Sequence, residues 1–168
     1  MVKKLFSFLY LRISVIIAIL VFVPSSGNGA TLSIVLEDVN SAPYTTWTIS
    51  PAVTLNTATT MTSAQGVKAV IQVKPKADFS AVVTSTGPWT AGLVQGLNVY
   101  KLELKAFSFQ QGTPDLTNGA KIILGTATLF DTNVKAGDTW IYAKFTTPTA
   151  TTSGKLQTIT VTITVSVH

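Results

Sequence analysis

The sequence predicts an all-β fold, a single β-sandwich of jelly-roll or Ig-like Greek-key type, and three observations carry that expectation. Apolar residues recur at every second position in short runs, the period of a half-buried strand. Threonine and valine dominate those runs, and branching at Cβ restricts χ1 and favours the pleated backbone. No eleven-residue window carries a helical apolar period, and turn residues divide the chain every 10–15 residues.

The elements follow in order. TLSIVLE (31–37) puts Leu32, Ile34 and Leu36 on one face. TTWTI and AVTL form a short pair broken at Ser50-Pro51. GVKAVIQVK (66–74) alternates Val67, Ala69, Ile71 and Val73 with Lys68, Val70, Gln72 and Lys74, and SAVVTST (80–86) stops at Gly87-Pro88. LNVYKLELKAF (97–107) aligns Tyr100, Leu102 and Leu104 opposite Lys101, Glu103 and Lys105. Asn118-Gly119 is a two-residue hairpin signal. AKIILGTATLF (120–130) is apolar on both faces and reads as a central strand, with Gly125 marking a bulge or close approach. DTWIYAKFT (138–146) follows an Ala-Gly-Asp turn, and one of its aromatic faces is expected to be partly exposed. The closing strand, LQTITVTITVSV (156–167), sets Ile159, Val161, Ile163, Val165 and Val167 against a face of hydroxyls.

Residues 1–30 are expected to lie outside this domain. Lys3 and Lys4 precede an apolar run from Ile13 to Val23, and small and polar residues lead to Gly29-Ala30, the layout of a cleaved secretory signal peptide. The run after Arg12 is shorter than the ~17–25 residues of a membrane-spanning helix. Processing leaves residues 31–168 as one domain with nine lysines, no arginine and seven acids, formally +2. Scattered lysines without arginine argue against a nucleic-acid partner. The absence of cysteine leaves burial and backbone pairing to hold an exported fold, and provides no acylation site. A secreted product at the cell surface or beyond, with no membrane attachment after cleavage, is the expectation.

Chemistry-bearing residues are sparse. The single histidine is His168, and a nucleophilic triad needs an imidazole oriented by a third group. The seven acids are Glu37, Asp38, Asp78, Glu103, Asp115, Asp131 and Asp138; Glu103 lies between Lys101 and Lys105, where an ion pair is the plain reading. DTNVKAGD (131–138) offers Asp131, Asn133 and Asp138 as oxygen ligands of the kind calcium uses. Its spacing departs from an EF-hand loop, and such residues also serve turns through their own backbone. No cofactor and no catalytic group are expected. Trp89, Trp140 and Tyr142 are candidates for surface aromatic contacts, including stacking on a glycan, against a core-packing role.

STGPWTAGL (85–93), together with KAGDTWIYAKF (135–145) leading through Ser153-Gly154 to LQTITVTITV, resembles elements of secreted prokaryotic β-sandwich domains. The layout is similar to that of small exported filament subunits, the archaeal bundling pilins and the biofilm-fibre proteins of the TasA/camelysin type. That resemblance implies a non-catalytic structural subunit of an extracellular filament or matrix. Its partners would be copies of itself or paralogous subunits, joined by donor-strand complementation through residues 31–38. The alternative expectation is a secreted carbohydrate- or surface-binding module.

Overall fold

The computed structural model describes residues 13–19, 34–44, 46–49, 54–71, 77–134, 137–153 and 157–167. In chain order the strands are β1 (Ile13–Ile19), β2 (Ile34–Glu37), β3 (Thr46–Ile49), β4 (Ala58–Thr60), β5 (Val67–Ile71) and β6 (Ala77–Thr86). They continue with β7 (Thr90–Ala91), β8 (Val99–Phe107), β9 (Ala120–Ile122), β10 (Thr128–Val134), β11 (Gly137–Thr146) and β12 (Gln157–Val167). Among the described residues the regular structure is otherwise one 3₁₀ turn, Ser63–Gln65, in which the Gln65 side chain accepts the Thr62 N–H at 2.9 Å. No helix among the described residues is long and apolar enough to cross a membrane.

Two sheets pack face to face as a β-sandwich. The first has the order β10-β6-β12-β1-β3; the second runs β2-β5-β11-β8-β7, with β4 added to β11 and β9 to β8. Strand alternation builds the core between them. Phe79, Ala81 and Val83 of β6 and Ile159, Val161, Ile163 and Val165 of β12 are buried from one side. Tyr100, Leu102 and Leu104 of β8 share a face with Ala143 and Phe145 of β11 and are buried from the other. The Ser85 and Tyr100 hydroxyls hydrogen-bond at 2.8 Å across the layers, satisfying a phenol that burial would otherwise strand.

Two expectations change. The run 120–130 is not one central strand: it breaks into β9 and the start of β10 at Gly125, which has φ of +68°, and β10 is an edge strand. Leu124 and Leu129 are consequently exposed, so apolarity on both faces did not mean burial on both. Asn118 does take the left-handed conformation (φ +61°), but the connection it serves is the long return from β8 to β9. Of the expected leader, Ile13–Ile19 lies within the first sheet of this unprocessed chain as β1. Its Ile- and Val-rich composition suits a strand, and it joins two strands that have no ladder to each other.

Candidate functional site

The feature with functional geometry is the seat of β1. Residues Ile13–Ile19 run parallel to β12, in register with Gln157–Ile163. On the other side Ile13–Ile16 run antiparallel to β3, with Ile13 opposite Ile49 and Val15 opposite Trp47. Positions 13 and 15 therefore share a face with Trp47, Ile49 and Ile159, all buried. Among the described residues β1 is the only strand paired with β3, and β12 meets its other neighbour, β6, on the far side. The seat is thus a slot one strand wide, about 10 Å from β3 to β12 at the usual inter-strand spacing. Its floor is apolar apart from the buried Gln157, which faces position 13, and its walls carry backbone groups that need partners.

The expected assembly strand falls elsewhere. Ile34 and Leu36 lie on β2, which pairs antiparallel with β5 of its own chain at the edge of the second sheet; Leu32 lies outside the described residues. Two polar devices hold the end of β2. Lys68 Nζ is 2.7 Å from Glu37 and donates to Ser41 Oγ at 2.9 Å. The hydrogen bond from Lys68 holds the Glu37 carboxyl below its ordinary pKa, and the same pair raises Lys68. Asp38 Oδ1 accepts the N–H groups of Ala42 and Asn40, at 2.9 and 2.7 Å, which lowers its pKa. These bonds fix a reversal in which Glu37 faces Pro43 and the Tyr44 N–H donates to the Leu36 carbonyl at 3.2 Å.

The aromatic candidates are in the interior. Trp89 is fully covered, stacked on Phe145 (centroids 6.4 Å apart, planes at 9°) and beside Tyr100. Its Nε1–H donates to Thr151 Oγ1 at 2.7 Å. Tyr142 lies edge-on to Phe107, and its hydroxyl accepts the Gln111 N–H at 2.9 Å. Burial pushes the Tyr142 phenol up. Trp140 is also buried, so β11 is covered on both faces rather than partly exposed. The physical reason is a roof over the outer face of β8 and β11. Lys105 ties it down by donating to the carbonyls of Asp115 and Thr117, and Gln110 donates to Ser63 Oγ at 3.1 Å. None of the three rings presents a face on which a sugar could stack.

The calcium candidates are not set around a loop. Asp131 and Asn133 fall on β10 in one sheet and Asp138 on β11 in the other. Asp131 Oδ1 accepts the Thr132 N–H at 2.8 Å, and burial pushes its carboxyl up, a poor setting for a charged ligand. No group of three or more His, Asp or Glu side chains gathers among the described residues. Glu103 pairs with Lys144 at 3.6 Å on the outer face of the second sheet. Sequence reasoning missed the slot because its filler lies in the expected leader; the signal was the strand-like alternation of Ile13, Val15, Ile17 and Ile19.

A scan against protein-family models gives no match, and a search of curated proteins gives none that is significant.

Proposed function

We propose that the processed chain is a non-catalytic structural subunit of an extracellular filament or surface matrix, assembled from copies of itself by strand complementation. One observation carries the reading: the strand that finishes the first sheet comes from residues 13–19, which the sequence marks for removal. A domain without that strand leaves β3 unpaired and β12 open along one side, over the buried Trp47, Ile49, Ile159 and Val161. Such a slot gains both ladder hydrogen bonds and apolar burial from an added strand. A head-to-tail contact of this kind is heterologous and propagates as an open fibre. Burial of Trp89, Trp140 and Tyr142 speaks against the glycan-binding alternative.

The test is negative-stain microscopy of the exported, processed protein beside a variant lacking residues 31–38. Fibres from the parent and none from the deletion are expected. A parent that stays monomeric at high concentration refutes the proposal.

A further inference from the structure

Two short segments of this chain carry the same pattern nineteen residues apart. Ile13-Ser14-Val15-Ile16-Ile17 and Leu32-Ser33-Ile34-Val35-Leu36 both read aliphatic, serine, then three aliphatic residues. The first fills the slot between β3 and β12; part of the second is β2, whose one ladder partner among the described residues is β5. We infer that the leader strand is a built-in plug, and that after its removal residues 32–36 of a second copy take the same seat in the same register. The inference rests on the filament reading and adds to it the acceptor, the register and the control. Assembly is blocked in cis while the leader remains and released by its cleavage.

Register explains why the replacement comes from another copy. In the slot, the paired residue numbers of β1 and β3 place Ile13 opposite Ile49 and Val15 opposite Trp47. Moving the pattern by nineteen sets Leu32 opposite Ile49 and Ile34 opposite Trp47, so Leu32, Ile34 and Leu36 share the face of the buried core positions. The chain's own reversal at residues 38–42 places Glu37 opposite Pro43 and Leu36 beside Tyr44. Carried straight on, that hairpin sets Ile34 opposite Thr46 and Leu32 opposite Thr48, both exposed positions. The mismatch is one residue, and a one-residue slip turns the whole apolar face outward. A chain that keeps its turn therefore cannot plug itself with residues 32–36, whereas a strand arriving from a second copy has no such constraint. The exchange is also favourable in pairing: β2 at the edge has one ladder partner, β5, and the slot offers two.

The native chain has no cysteine, so introduced pairs report position directly. In the slot Ile16 faces Thr160, and the pattern sets Val35 there after exchange, whereas in cis Val35 faces Val70. The full 168-residue chain is compared unprocessed, made without export, and processed, made with export, with N-terminal sequencing of each. Ile16→Cys/Thr160→Cys in the unprocessed chain is expected to give an internal disulfide and no fibres. Val35→Cys/Thr160→Cys in the processed chain is expected to give a covalent ladder of oligomers under non-reducing denaturing conditions, and the unprocessed chain to lose that ladder. Unprocessed chains that form fibres as readily as processed ones overturn the plug, as does an exported product that keeps residues 13–19. Fibres whose 35–160 link is absent or closes within one chain, or that link 35 to 70 instead, overturn the exchange while leaving the filament reading standing. Processed chains that remain monomeric overturn both.

Discussion

Trp89→Ala separates a core tryptophan from a surface one by the size of its effect. The ring is fully buried, stacked on Phe145, tilted against Tyr100 and hydrogen-bonded to Thr151. Truncating a large aromatic at a closed site costs about 3–5 kcal/mol. Two aromatic contacts at roughly 0.5–1.5 kcal/mol each, beyond area burial, place this site in the upper part of that range. The Thr151 hydroxyl also donates to the Ser153 carbonyl at 3.0 Å, so losing its indole partner loosens the 151–153 turn. Against a total stability of about 5–15 kcal/mol, a loss of about 4 kcal/mol is a large share. With a urea slope of about 1–3 kcal/mol/M, the unfolding midpoint is expected to fall by about 2 M, followed by circular dichroism. Trp89→Phe keeps the stack and loses the indole N–H, so its midpoint should lie between those of the parent and Trp89→Ala. A midpoint for Trp89→Ala within about 0.3 M of the parent would falsify the burial argument.

Three other expectations test the structure at separate places. Burial raises the Tyr100 phenol to about 12, so its contribution is present below the ordinary tyrosine value near 10 and is lost as pH rises through 12. Two pH units correspond to about 2–3 kcal/mol, and alkaline melts of Tyr100→Phe should lack that loss; an unchanged alkaline slope contradicts the assignment. Asp38, lowered by the N–H groups of Ala42 and Asn40, stabilises its turn above the ordinary aspartate pKa, and this is lost as pH falls through the lowered value. Asp38→Asn should accelerate amide exchange at Asn40 and Ala42 near neutral pH and flatten its acid dependence, and equal protection in both proteins would count against the turn. Gly66→Ala would drive a methyl into the Tyr142 ring, an overpacking effect of about 1–3 kcal/mol in thermal or urea unfolding, and a neutral result would mean the roof over β11 yields freely.

Much of the sandwich was legible because strand alternation is a local property. Tyr100, Leu102 and Leu104, and the odd residues from Ile159 to Val165, are buried as their period requires. Position within a sheet is not local, and the errors fall there. The 120–130 run looked like a central strand, but Gly125 turns it away and β10 ends at an edge. The outer ring face of β11 looked open, because the segment that covers it comes from residues 105–117 and is joined by long-range bonds such as that from Gln111 to Tyr142.

By itself, the sequence determined the fold class, the alternating core faces and the poverty of catalytic groups, since each depends on residue type and spacing. It also carried the likeness between residues 13–17 and 32–36, but gave that likeness no meaning. Only the tertiary structure decided that one segment lies between β3 and β12 while part of the other lies against β5, because a slot exists only where two strands stand one strand-width apart. Hydrogen-bond pairing across that width, and the one-residue offset of the turn at 38–42, are relations between distant residues that no local pattern contains.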